Sequence, residues 1–359
     1  MIKTVDKYIF MQLVGPFFFG FFMFVTVIAI DPLMFALQSI VNDNVSVTTV
    51  VRWFIYRLPQ DMIFTFPMSV LLSTLLVFGR MSKDSETIAL KAGGINFFRL
   101  LLPVLTFALL VTVFSFCFNE LVVPHANKRA QEIRHREIMR IVEPEASENA
   151  IMRVSDGGFA YARKVFESSG TIERMLIEYY DNGLLVKRYS AAGARWTGTN
   201  WELDAVIEQR YHEGRVMESS ATPLLRLPLV RETPADFARQ SKKPNEMSYR
   251  ELSDRIETYD RTQFVDTTEL KVELAMKTSL PLASMFFALI GASFGLTSYR
   301  SGAFIGFGVS IVIIFVYYVI MSFATAMGKS GLIPVFWGAH LQNIIFAIAG
   351  LIIVRRVNT

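Results

Sequence analysis

The sequence predicts an integral membrane protein: an α-helical bundle of six transmembrane helices, grouped three and three around an inserted β-jellyroll-like domain. Three observations carry that prediction. Hydrophobic residues fill 52% of the 359 positions and charged residues only 19%, against about 25% charged in an ordinary soluble protein. The apolar excess, with its 31 Phe, falls in six blocks. Each reaches the roughly 20 residues that a helix needs to cross a bilayer core. Between the third and fourth blocks, residues 124–275 are mostly polar and punctuated by turn residues. This composition excludes collagen-like, disordered and disulfide-scaffold classes.

The first block covers about 8–41 and is interrupted by Asp31-Pro32, where proline is expected to kink a helix. It is too long for a cleaved signal peptide and lacks a small-residue cleavage site. The second block covers about 58–78 and the third about 100–123. The last three cover about 277–297, 302–326 and 332–354. Three domains follow: 1–123 with a loop helix at about 80–94, 124–275 with flanking helices, and 276–359.

Net charge is +4, and in a membrane protein such a surplus reports topology rather than nucleic-acid binding. On the side of both termini the short loops hold Lys3, Lys7, Arg80, Lys83, Lys91, Arg99, Arg300, Arg355 and Arg356. The other side holds Arg52, Arg57 and Lys329. Nine basic residues against three predict cytoplasmic termini. The middle segment then faces outward, since long domains translocate largely regardless of charge.

That segment reads as β structure. Runs rich in β-branched and aromatic residues begin at Phe159, Met175 and Leu184, separated by Asp156-Gly-Gly158, Asp181-Asn-Gly183 and Thr197-Gly-Thr-Asn200. Asn182-Gly183 is a strong hairpin signal because both residues tolerate positive φ. Phe159, Val165, Met175, Ile177, Leu185, Trp196, Trp201, Leu203 and Ile207 supply the bulk of an apolar interior. Short strands at turn-marked intervals suggest a sandwich or jelly roll. Ser248-Tyr-Arg-Glu251 fits a helix capping box, with Leu252, Ile256 and Tyr259 as one stripe behind it.

Two motifs resemble catalytic ones. Gly291-Ala-Ser293-Phe-Gly295 matches the G-x-S-x-G serine pattern, with His340 in the last span. At ~1.5 Å per residue Ser293 lies about 24 Å below its outer entry and His340 about 12 Å below its own. Small residues that let helices approach explain Gly291, Ser293 and Gly295 better. Gly328-Lys-Ser330 resembles the end of a phosphate-binding loop, but the glycine that motif needs is replaced by Phe323. Four scattered histidines and the lone Cys117 support neither a metal site nor an intrachain disulfide, and no cofactor is expected.

The loop between the second and third blocks, residues 79–94, carries more information. Met81, Ser85, Ile88 and Ala92 share one face at helical spacing, and Gly93-Gly94 is a natural helix stop. A short helix lying at the membrane surface is either a docking element or a solvated connector.

At this point the sequence resembles the LptF/LptG lipopolysaccharide-export permeases. The resemblance rests on the three-plus-three architecture and on the Ser85-Glu86 loop ending in Ala92-Gly93. Asp6-Lys7-Tyr8, Leu58-Pro59, Pro67, Val123-Pro124-His-Ala-Asn127 and Lys277…Pro281-Leu282 match as well. It implies a non-enzymatic permease subunit of an ABC-type transporter in a bacterial inner membrane, with its β-jellyroll domain in the periplasm. Implied partners are a cytoplasmic ATPase dimer, a second permease subunit (paralogue or self), periplasmic bridge proteins and lipopolysaccharide or a related glycolipid. The loop helix would insert into a groove of the ATPase, with Glu86 pairing an arginine there. Ser85, Ile88, Leu90 and Gly93 would complete that surface.

One stretch departs from the pattern. Some members carry lysines late in the first helix that meet lipid phosphates, whereas this chain reads Asp31-Pro-Leu-Met-Phe-Ala-Leu-Gln38-Ser39. Asp31, Gln38 and Lys277 are candidates for the lipid cavity. Two other readings compete: an intramembrane hydrolase using Ser293, and a membrane-anchored scaffold whose β domain only binds partners.

Overall fold

The computed structural model describes residues 4–139, 147–154, 158–167, 169–181, 184–212, 215–227, 232–239, 242–262, 266–297 and 303–358. Asp156, Gly157, Asn182, Gly183 and Arg300 lie outside them. The chain forms two compact units, one of residues 1–138, 248–252 and 268–359, the other of 139–247 and 253–267.

The first unit is helical. Its first block is two helices, α1 (Thr4–Ile28) and α2 (Ile30–Val41), meeting at Ala29. Pro32 explains the break just before it, because it has no N–H for the Ile28 carbonyl. The second block is longer than hydropathy suggests. Helix α3 (Val47–Lys83) has 37 residues, about 55 Å at 1.5 Å per residue, against a core of about 30 Å. Its start is fixed by Ser46, whose hydroxyl accepts the Thr49 N–H at 3.3 Å. A short helix α4 (Glu86–Ala92) precedes α5 (Phe97–Leu121), and α6 (Val123–Ile133) runs into a π-helical turn over Arg134–Ile138. The last three spans are α9 (Thr268–Thr297), α10 (Ala303–Lys329) and α11 (Val335–Asn358). Among the described residues six helices are long and apolar enough to cross a membrane, as expected.

Without a hydrophobic force between helices in lipid, packing and hydrogen bonds must hold such a bundle. Helices α3 and α9 are its most enclosed spans, and they approach through glycine. A Cβ on Gly291 would fall 2.0 Å from Thr74 Oγ1 and 3.0 Å from the Leu71 carbonyl. One on Gly295 would meet Phe78 Cβ at 2.7 Å. Ser73 donates to the Leu13 carbonyl of α1 at 2.7 Å, and Tyr318 of α10 to that of Phe64 at 2.9 Å. A buried polar cluster ties α9 to α11. Asn343 Nδ2 donates to the Ser279 carbonyl at 2.8 Å, and Asn343 Oδ1 accepts from the Tyr317 hydroxyl of α10 at 2.8 Å. Exposed apolar side chains such as Phe18, Phe22, Phe315 and Phe323 cover the outside of α1 and α10, as lipid requires.

The second unit is built on one antiparallel sheet in chain order: β1 (Ser147–Arg153), β2 (Phe159–Phe166), β3 (Thr171–Asp181), β4 (Leu184–Trp196), β5 (Trp201–His212) and β6 (Arg215–Leu227). The jelly-roll expectation is met only as far as the antiparallel sheet. Among the described residues the strands form a meander, without the Greek-key crossovers of a double-sheet jelly roll. Asp181 stands opposite Leu184 at the end of the β3–β4 pair, and the hairpin expected at Asn182-Gly183 lies outside the described residues.

A crease crosses this sheet. Pairing skips one row from β2 to β6, Arg163–Arg174–Ala192–Ala205–Pro223, and Arg174 and Ala205 there have φ of 54° and 51°. Buried positions step by three across the row instead of two: Ala162 to Val165, Ile172 to Met175, Ala191 to Ala194, Leu203 to Val206. The crease corrects the expected interior. Val165, Met175, Ile177, Trp201 and Leu203 are buried and Trp196 packs against them, but the parity change turns Ile207 outward and Val206 inward. Phe159 sits one residue off the buried Ala160 and Ala162, and Leu185 lies just past a bulge at Tyr179/Tyr180.

Trp201 anchors the core face. Its indole N–H donates to the Glu232 carbonyl at 2.8 Å, and its ring meets Trp196 and Phe237 of α7 (Pro234–Arg239). The opposite face buries a charge. Glu178 accepts from Arg188 at 2.5 Å and from Tyr180 at 2.5 Å, and burial, then that carboxylate, push the Tyr180 hydroxyl well above its ordinary pKa. Helix α8 (Tyr249–Thr262) opens with the expected capping box: Glu251 accepts the Ser248 N–H at 2.9 Å, and Ser248 Oγ accepts the Glu251 N–H at 3.1 Å. Leu252, Ile256 and Tyr259 are buried, as the stripe predicts.

Candidate functional site

The site is the segment between α3 and α5. Helix α3 ends at Lys83, and Ser85 turns the chain with φ of 58°. The turn starts α4 on a new axis and breaks the expected face. Met81 belongs to α3, whereas Thr87 and Leu90 are the inward positions of α4. Gly94 ends it with φ of 79°, and the Ile95 N–H reaches back to the Leu90 carbonyl at 3.0 Å. This six-to-one bond is the Schellman stop that Gly93-Gly94 forecast. Leu90 and Ile95 both pack on the apolar core of the bundle, so the short helix is pinned at its far end.

Its near end is pinned by charge. The Tyr8 hydroxyl of α1 donates to both oxygens of Glu86, at 2.9 and 3.1 Å, and accepts from Arg80 at 3.4 Å. Two residues earlier in α1, Asp6 pairs with Arg99 of α5 at 2.5 Å. The first turns of α1 thus hold both flanks of α4. Of the five residues expected at a docking surface, Ser85, Ile88 and Gly93 are exposed, Glu86 is half-buried against Tyr8, and Leu90 faces the core. The result is a short ridge held at both ends, with one carboxylate at its start.

The whole chain bears a second, independent signature. The family described as lipopolysaccharide export system permease LptF/LptG matches residues 7–356. This chain belongs to the LptF/LptG family. A similar protein is the lipopolysaccharide export system permease protein LptG of Haemophilus influenzae, 22% identical with 97% of each chain covered. LptF/LptG proteins are multi-pass transporter components rather than enzymes, and the serine motif of this one fits that. Ser293 Oγ donates to the Leu289 carbonyl of its own helix at 2.7 Å, between the two glycines packed on α3. Lys329 of the phosphate-loop-like motif pairs with Glu273 and Glu269.

The candidate lipid-cavity residues sit on two helices of this LptF/LptG chain, α2 and α9. Asp31 and Gln38 lie on the exposed side of α2. Lys277 is half-buried in α9 and faces Glu120, Glu251 and Glu273. Sequence reasoning missed Tyr8, Arg80 and the Asp6–Arg99 pair. The signal was there: Asp6 and Tyr8 belong to the Asp6-Lys7-Tyr8 stretch that carried the family resemblance. Glu120 was missed as well, and its carboxylate accepts the Tyr249 N–H at 2.5 Å, at the start of α8.

Proposed function

We propose that this chain is the transmembrane permease subunit of an ABC-type transporter that extracts lipopolysaccharide, or a related glycolipid, from the inner membrane. The observation that carries this is the α4 ridge, a rigid element pinned at both ends and joined directly to three spans. The termini and α4 face the cytoplasm, where an ATPase dimer docks on α4 and its closure moves the helices to which α4 is tied. Glu86 is the charged contact of that joint, with Ser85, Ile88 and Gly93 around it. A second permease subunit, a paralogue or another copy, completes the lipid cavity.

The sheet unit lies in the periplasm and hands lipid to a bridge protein. A lipid with several acyl chains forfeits about 25 cal/mol for each Å² of apolar surface left in water, so it needs a sheltered route. Edge strand β6, with Val216 and Met217 exposed, suits strand addition by such a bridge.

Replacing Glu86 with Lys is expected to abolish ATPase copurification and transport while the amount of folded chain in the membrane stays normal. Unchanged transport would refute the docking role. Topology is tested by cysteine labelling of intact cells, in a chain with Cys117 replaced. A cysteine at Asn200 should label from outside and one at Ser85 should not. The reverse pattern would invert the orientation.

A further inference from the structure

The Tyr8 hydroxyl is nearly equidistant from both Glu86 oxygens, at 2.9 and 3.1 Å, so it sits close to the bisector of the carboxylate. That is the face a forked guanidinium needs in order to bind both oxygens side by side. Arg80 donates to the same hydroxyl at 3.4 Å, which polarises the O–H toward Glu86. Tyr8 and an incoming cation therefore cannot both hold that face. We infer that Tyr8 is a latch on Glu86, closed in the unpartnered chain and opened when a cationic group of the docking partner takes the carboxylate.

The inference rests on the reading that α4 docks through Glu86, and it adds a direction to that reading. Docking is opposed by a contact inside the chain, and its completion frees Tyr8 of α1 from α4, while the Asp6–Arg99 pair still ties α1 to α5. Helix α1 is among the least enclosed of the spans, so events at α4 pass to a helix that lies against lipid.

The experiment titrates the detergent-solubilised chain with its purified ATPase, as wild type, Tyr8→Phe, Glu86→Ala and the double variant. Tyr8→Phe keeps the ring and removes only the hydroxyl. It is expected to tighten ATPase binding about three- to tenfold, the range for one partly exposed charge-assisted hydrogen bond. Glu86→Ala weakens binding, and adding Tyr8→Phe to it changes nothing further, because the latch then has nothing to hold. Weaker or unchanged binding with Tyr8→Phe, while Glu86→Ala still weakens it, overturns the latch and leaves the docking role standing. Indifference to Glu86→Ala overturns the docking role. The latch itself is read without the ATPase by amide hydrogen exchange. In Tyr8→Phe the Ala89 and Gly93 amides, bonded to Ser85 and Ala89, should exchange several-fold faster. Unchanged exchange there overturns the latch whatever the ATPase does.

Discussion

Replacing Gly291 with Ala is expected to destabilise the bundle by about 1–3 kcal/mol, the usual cost of overpacking. The new methyl would lie 2.0 Å from Thr74 Oγ1 and 3.0 Å from the Leu71 carbonyl, and the second of these is backbone in the middle of α3. Thr74 cannot rotate away freely, because its hydroxyl donates to the Val70 and Leu71 carbonyls at 2.8 and 2.9 Å. Either α9 backs away from α3 or two hydrogen bonds break. Gly15→Ala in α1 is the control, since a Cβ there meets nothing within 4 Å, and it should be neutral. Adding Thr74→Ala to Gly291→Ala should recover part of the loss by removing the 2.0 Å contact. Unfolding of the detergent-solubilised chain in graded SDS measures all three. Equal midpoints for Gly291→Ala and Gly15→Ala would show that α3 and α9 do not depend on this approach.

What the sequence made legible follows from how each feature is encoded. Span-length apolar runs announce themselves, so all six membrane helices were readable from composition. Their ends were not. The first turns of α3 contain Thr48, Thr49, Arg52 and Arg57, which hide a helix from a hydropathy window, although Ser46 was available as a cap signal. Strand parity failed at Ile207 because alternation holds only while pairing is regular. A crease marked by a positive φ at Ala205, a residue with no turn signature, is invisible to a period-two count. At the site, Glu86 was reached through family resemblance and the Gly93-Gly94 stop through local chemistry. Tyr8 lies 78 positions from Glu86, and Asp6 lies 93 from Arg99. Neither periodicity nor spacing reports contacts at that range, because only the tertiary packing of α1 creates them.

Trp201→Ala should cost the sheet unit about 3–5 kcal/mol, the range for emptying a large aromatic site. The side chain is fully buried, and three separate losses add up there. Its removal leaves a cavity between the sheet and α7, strips the tilted ring contact to Trp196 at 5.3 Å and the edge contact to Phe237 at 5.8 Å, and orphans the Glu232 carbonyl. Trp201→Phe separates the terms. It keeps much of the volume and an aromatic edge but no N–H, so it should cost less, with about 1 kcal/mol from the hydrogen bond. The reporter is pulse proteolysis of the full-length chain in urea, following cleavage within 139–247. Because the chain has two compact units, a single unfolding midpoint does not describe it, and cleavage in this segment isolates the relevant one. A cost below that of Trp201→Phe would mean that the core face closes over the gap and that the indole is not what holds it together.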